Sequence, residues 1–474
     1  MPSREAHLRP CSETCSLPAS SASPEPRWLS QQTTTPIRMT SMTGNAPDSL
    51  HSAEEVSAMI DLTTPSIYLD GIPHDRLSEV RAVPGLMWHP YEDNGFWAVT
   101  RYNDVAEVSK HPEVFSSGIG HTNLWDLEAD ALEARRSIID SDAPDHTRLR
   151  RLVSRAFTPR NILVWEETTR SIAGELLDVF IEQGGGNWVD MVAAPLPIRV
   201  ILTILGVPVD DADFLVELSD YLIEGTTDQT TLSEDAFGNT TPLRLLPFNS
   251  PASHALFEYG ERIGAERLAE PSEDLVTHLV LAEADGDRLS MTEYRNFFQL
   301  LVFAGNETTR TAITHGGEAF AMFPDEWKRL MASPDLMEPA VEEVLRWASP
   351  VMHMRRTAAV DTTLAGTNIA EGDKVVVWYT SANRDPDVFD DPCRFDVSRA
   401  ENPHFAFGGG GPHFCLGAFL ARMEIRVLFE EMLKRGIVLS KEGEPVRAPS
   451  NFVHGVLSLE LGVLEGRASS GGGG

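Results

Sequence analysis

The chain predicts a mainly α-helical domain with a smaller β part, and three observations carry that expectation. Ser290-Met291-Thr292-Glu293 has the pattern of a capping box, and the apolar periodicity it opens runs to about Met322, just before Pro324. Two further helical stretches are expected, one over about Pro334 to Trp347 ahead of Pro350, and one from near Cys415 to Lys434, closed by Gly436. Against these stand only short β-prone runs: Phe96 to Thr100 after an Asn94-Gly95 turn, and Val375 to Thr380.

Taken in chain order, residues 1–50 are rich in Ser, Thr and Pro and read as a disordered leader. A helix over about Asp104 to Lys110 should follow the first strand. The helix from Ser290 to Met322 would be roughly 45–50 Å long, enough to cross the whole domain. Residues 465–474 end in four glycines and read as a flexible tail. No internal repeat or Pro/Gly-rich linker divides the middle, so residues 51–464 are expected to form one large domain.

Of the 474 residues, 42% are hydrophobic and 23% charged, which suits a globular core. A formal net charge of −32 argues against a nucleic-acid binder, whose phosphate contacts need cations. No apolar run is long enough for a membrane span, and a cytoplasmic protein is expected. The four cysteines (Cys11, Cys15, Cys393, Cys415) are too few for a disulfide scaffold, and Cys11 and Cys15 have no second Cys/His pair nearby with which to hold a metal.

Phe407-Gly408-Gly409-Gly410-Gly411-Pro412-His413-Phe414-Cys415-Leu416-Gly417 is the most informative segment. Its glycines permit close backbone approaches, and Cys415 falls at the mouth of a helix, where free N–H groups favour a thiolate. A thiolate there suits a haem iron; a buried cysteine beside a glycine hinge is the plainer alternative. A phosphate loop fits less well, because no Lys-Ser/Thr follows the glycines. Within the long helix, Ala304-Gly305-Asn306-Glu307-Thr308-Thr309 interrupts an apolar run with a glycine and polar groups. Mid-helix Gly305 suggests a kink or a close-packed ligand. An acid beside a hydroxyl could relay protons, or could be a solvent-facing patch. Glu343 and Arg346 stand one helical turn apart, as do His146 and Arg150.

Together these segments resemble the cytochrome P-450 superfamily over roughly residues 85–464. The aromatic, glycine, His, Cys and Gly of its cysteine signature are supplied by Phe407, Gly411, His413, Cys415 and Gly417, with one extra residue between aromatic and cysteine. That spacing is similar to bacterial members that oxidise sterols and branched lipids. The resemblance implies a haem b (iron protoporphyrin IX) between the long central helix and the cysteine loop, with Cys415 on the iron. It implies that Glu307 is the acid and Thr308 the hydroxyl that steadies dioxygen, with Thr309 assisting. It implies propionate contacts from His146, Arg150, Arg356 and His413, and a structural triad of Glu343, Arg346 and Arg394, the last within Pro392-Cys393-Arg394-Phe395.

Candidate pocket walls are Phe303, Ala304, Val351, Met352, Met354, Phe452 and Val453, with residues 117–140 and 210–250 as a lid. These walls are apolar, so a hydrophobic small molecule is expected. The implied activity is that of a monomeric monooxygenase using O2, with electrons from a ferredoxin and ferredoxin reductase, because the chain has no flavin or nicotinamide domain of its own. The ferredoxin would dock near Arg394 and Arg422. A hydrogen-peroxide-dependent peroxygenase and a non-catalytic haem sensor or carrier are the alternatives.

Overall fold

The computed structural model describes residues 60–92, 94–225, 232–284 and 286–467. The leader, Cys11 and Cys15, most of the tail, and residues 226–231 of the lid stretch lie outside the described residues.

The helices that matter for the site are α1 (Tyr102–Lys110), α2 (Ala129–Ala134), α3 (Asp145–Ser154), α4 (Pro195–Leu205), α5 (Ala212–Gly225), α6 (Met291–Met322), α7 (Met337–Ala348) and α8 (Ala418–Arg435). The main sheet joins β1 (Met87–His89), β2 (Phe96–Val99), β3 (Phe115–Ser116), β4 (His353–Ala358) and β5 (Lys374–Trp378) in the order β1-β2-β5-β4-β3. All its pairings are antiparallel except β2 with β5. A small hairpin near the C-terminus pairs β6 (Val446–Arg447) with β7 (Val456–Ser458).

The central helix α6 forms as its sequence requires. The Glu293 amide donates to Ser290 Oγ at 3.2 Å, and the Ser290 amide to Glu293 Oε2 at 2.8 Å, so the capping box satisfies two donors that would otherwise lack partners. Its 32 residues span roughly 48 Å. Phe298, Val302, Ile313 and Phe320 are buried in one core with Ile201 and Leu205 of α4, Val344 and Leu345 of α7, and Leu428 and Phe429 of α8. Gly305 faces α4. A Cβ on it would come within 3.3 Å of Ile201 Cγ1, so the glycine lets α4 pack closely against the central helix.

Three expected boundaries shift. Pro334–Leu336 is a 3-10 turn leading into α7, because proline supports a first turn but cannot lie deeper in a helix. Ser349, at a φ of 42°, ends α7 before Pro350. The β5 strand stops at Trp378, and Tyr379–Ala382 turns as a short helix closed by the Asn383 amide on the Tyr379 carbonyl. The last helix starts at Ala418 rather than at Cys415, because the Cys415 amide is used by the Phe407 carbonyl at 3.0 Å.

Candidate active site

The glycine loop ahead of α8 is shaped by what lies against it. Gly408, Gly410 and Gly411 all have positive φ, and a Cβ on Gly411 would fall 2.3 Å from the Ser109 carbonyl oxygen on α1. The loop therefore lies flat on the end of α1 and hands Cys415 to the mouth of α8. Protein surrounds Cys415 closely, yet its side chain is open to a cleft. Burial pushes the thiol up. The amides of Gly417 and Ala418, donating to the sulfur, and the charges of Arg150 and Arg422 pull the other way without prevailing. A metal cation on the sulfur would add to that pull toward the thiolate.

Two arginines and two imidazoles gather beside this loop. The His146 and His413 rings lie 4.2 Å apart, and Arg150 Nη2 donates to the Phe414 carbonyl at 2.6 Å. Arg356 Nη1 donates to the carbonyl of Arg355 at 2.8 Å. Burial, followed by the charges of Arg356, His146 and Arg150, drives the His413 imidazole down to about 3. Among the described residues, no carboxylate comes within 4 Å of Arg150 or Arg356. Cations assembled without counter-charge suit a dianionic group, and a Cβ on Gly417 would meet only open space. The donor set therefore fits a haem, with Cys415 available to the iron and the two arginines and two imidazole N–H donors to its propionates.

Glu307 and Thr308 face different surroundings on α6. Glu307 is 5% exposed; its Oε2 has no hydrogen-bond partner, and Arg310 Nη1 is 3.7 Å away. Burial raises the carboxyl to about 7, opposed by Arg310 and reinforced by Asp220 of α5. Arg310 in turn lies 3.5 Å from the exposed Asp220, so the acid has a charged route outward. The i,i+3 spacing to Glu307 could have revealed Arg310 in the sequence. Thr308 is half-buried, with its hydroxyl resting on the Ala304 carbonyl at 2.9 Å. Thr309 is buried.

Glu343 and Arg346 form a fully buried bidentate pair, 2.7 Å on both arms. Arg346 also donates to the carbonyls of Asn383, Pro392 and Arg394. The third member differs from expectation. Arg394 contributes only its carbonyl; its guanidinium is half exposed, 3.7 Å from Glu326 and 3.9 Å from Asp396. Arg399 reaches back instead, with Nε 3.1 Å from Glu343 Oε2, and Asn402 and the Asp396 amide complete the carboxylate. The five-residue offset follows from the 390–399 turn, where Arg399 clamps the carbonyls of Asp390, Asp391 and Arg394. Nothing in the local sequence marks Arg399 for this role.

The walls divide. Phe303 is met by Phe248 of the lid stretch at 4.1 Å between ring centres, and Ala304 follows it on α6. Val351 pairs with Val453 as a β-bridge, and Phe452 packs on His353 at 5.6 Å. Val351 and Met354 share a partly buried face, whereas Met352 is fully buried among Leu62, Phe96 and Trp378 on the other side of the chain. Full burial in that second core takes Met352 out of the wall. The two lid stretches hold each other: Arg135 donates to the Arg244 carbonyl at 2.6 Å, and Arg244 grips Asp130 of α2 at 2.6 and 2.7 Å. Arg422, expected at a docking surface, is held by Glu342 and lies over Phe407. Like Arg394, it is matched by acids rather than set in a basic patch.

A cysteine loop fitted for haem, packed through α8 against a helix bearing a buried acid and a hydroxyl, defines the class. The chain belongs to the cytochrome P450 family, whose model matches residues 325–461, and it is a P450 monooxygenase. It is 37% identical over 407 residues to a steroid C26-monooxygenase of Mycolicibacterium smegmatis, covering 84% of this chain and 92% of that one. It is 41% identical over 372 residues to a methyl-branched lipid omega-hydroxylase of Mycobacterium tuberculosis, covering 78% of this chain and 84% of the relative. Among solved structures, a Mycobacterium marinum cytochrome P450 in complex with pseudoionone matches with a TM-score of 0.75 at 40% identity, over 85% of this chain and 98% of that one. No helix among the described residues is long and apolar enough to cross a membrane.

Proposed function

We propose that this monooxygenase hydroxylates a sterol or a methyl-branched lipid, holding haem b through Cys415 and taking electrons from a separate ferredoxin and its reductase. When bound, the haem supplies the activation of O2 and the insertion of one oxygen atom into a C–H bond. The observation that carries the reading is Glu307, a buried acid with an unpartnered oxygen and a pKa near neutrality, one residue from the Thr308 hydroxyl. At that pKa, Glu307 Oε2 can both hold and release a proton at working pH, and the exposed Asp220 beyond Arg310 can return one from solvent through water. Thr308 Oγ1 needs only to leave the Ala304 carbonyl to pass that proton inward. His146, Arg150, Arg356 and His413 would hold the propionates. Phe303, Ala304, Val351, Met354, Phe452 and Val453 orient an apolar chain and exclude water.

The names of the two curated relatives support the substrate class.

The test is spectroscopic and then catalytic. The haem-loaded protein should show a strongly red-shifted ferrous-CO band that Cys415→Ser loses. Cholesterol and an iso-methyl-branched fatty acid should shift its spin state. Turnover should need ferredoxin, reductase and O2. Efficient turnover with hydrogen peroxide alone, equal in Thr308→Ala, would replace this reading with a peroxygenase. No such CO band would refute the Cys415 assignment.

A further inference from the structure

Behind the acid, the central helix carries a second polar pair that the oxygen chemistry does not use. His315 is 3% exposed, and its ring lies flat on that of His454 at 4.0 Å between centres. His315 Nε2 is 3.0 Å from the His454 carbonyl oxygen, which can only accept, so Nε2 is the protonated nitrogen. Nδ1 lies 3.4 Å from Glu318 Oε2, one turn further along the helix. Glu318 in turn meets Arg447 of β6 at 3.4 Å and Lys441 at 3.6 Å.

His454 closes the β6–β7 turn whose tip is Phe452-Val453. The tip is held to the segment before β4: the Met352 amide donates to the Phe452 carbonyl at 2.9 Å, and the His454 amide to the Pro350 carbonyl at 2.9 Å. Those bonds fix the turn to its neighbour, His454 Nδ1 lies 3.0 Å from the Ala348 carbonyl oxygen, and Glu318 holds the base of the hairpin through Arg447, which leaves the tip to be set against the central helix. Among the described residues, the His315–His454 bond is the hydrogen bond that ties α6 to residues 450–455. The same turn touches the chemistry, because a Cβ on Gly455 would lie 3.5 Å from Glu307 Oε1.

We propose that His315 is a positioning residue that sets, from the back of the central helix, where the Phe452–Val453 wall stands relative to Glu307 and Thr308, and thereby which substrate carbon is oxidised. The inference rests on Phe452 and Val453 being substrate walls, as proposed above. His315 lies two turns beyond Thr308 and acts through the turn, without touching substrate.

The test compares His315→Leu, which removes both ring nitrogens, with His315→Gln, whose amide can restore a donor to the His454 carbonyl. In haem-loaded protein, hydrogen–deuterium exchange of residues 449–456 should quicken roughly five- to tenfold in His315→Leu and stay near the parent rate in His315→Gln. With an iso-methyl-branched fatty acid, ferredoxin and reductase, the ratio of terminal to in-chain hydroxylation should change by a similar factor in His315→Leu and recover in His315→Gln. Unchanged exchange in a folded His315→Leu would overturn the positioning role. Faster exchange with an unchanged product ratio would overturn the role in specificity. If the parent oxidised neither that acid nor cholesterol, the proposed substrate class would fall on its own, and the exchange comparison would still decide whether His315 holds the wall.

Discussion

Two buried glutamates, Glu343 on α7 and Glu307 on α6, show how differently one residue type is used on the two sides of this molecule. Glu343 accepts from Arg346 twice, from Arg399, from Asn402 and from the Asp396 amide. Glu307 has an oxygen without a partner and a cation only at 3.7 Å. The first is saturated, so it fastens α7 to the segment leading to the cysteine loop. The second is under-satisfied, so its proton is loose. Saturation builds structure, and its lack leaves a group able to exchange protons.

The largest effect expected from breaking this contrast is at Glu343. Glu343→Ala leaves the fully buried Arg346 without its counter-charge and should cost about 3–5 kcal/mol in urea unfolding. Glu307→Gln should do the reverse to stability while damaging turnover. The folded acid holds a proton up to about pH 7, whereas the ordinary value is 4.5. The parent therefore loses stability as pH rises through that window, by up to roughly 3 kcal/mol, and Glu307→Gln should be flat across it. Its coupled turnover should fall at least about 100-fold, with the pH-profile midpoint near 7 removed. A smaller effect sharpens the comparison at its rim. Arg399→Ala should cost about 1–3 kcal/mol through its bond to Glu343, whereas Arg394→Ala should stay within about 0.5 kcal/mol. Equal costs for the two would contradict the assignment of Arg399 to the pair.

What was legible in the sequence was local. The capping box at Ser290 and Glu293, the i,i+3 pair Glu343/Arg346, and the glycines before Cys415 each announce themselves within a dozen residues. The choice of Arg399 over Arg394 was not legible, because it depends on how the turn between them closes onto its own carbonyls. The departure of Met352 from the wall depends on which face of the segment before β4 meets the core around Trp378. His315 and His454 are far apart in the chain, and no periodicity links them.

The cysteine loop rests on Ser109 in two ways, and they differ in evolvability. At Gly409 the main obstacle to a larger residue is the Ser109 side chain, with Oγ 2.2 Å and Cβ 2.7 Å from where a Cβ would stand, and the Val105 backbone oxygen follows at 3.2 Å. At Gly411 it is the Ser109 backbone oxygen at 2.3 Å. A side-chain obstacle can be removed by a second substitution, and a backbone one cannot. Position 409 is therefore open only to paired drift that makes position 109 a glycine and shifts the Val105 carbonyl slightly, while 411 is frozen whatever its neighbour becomes. A library that varies the loop alone would find both positions equally intolerant, and one that varies 109 as well would part them.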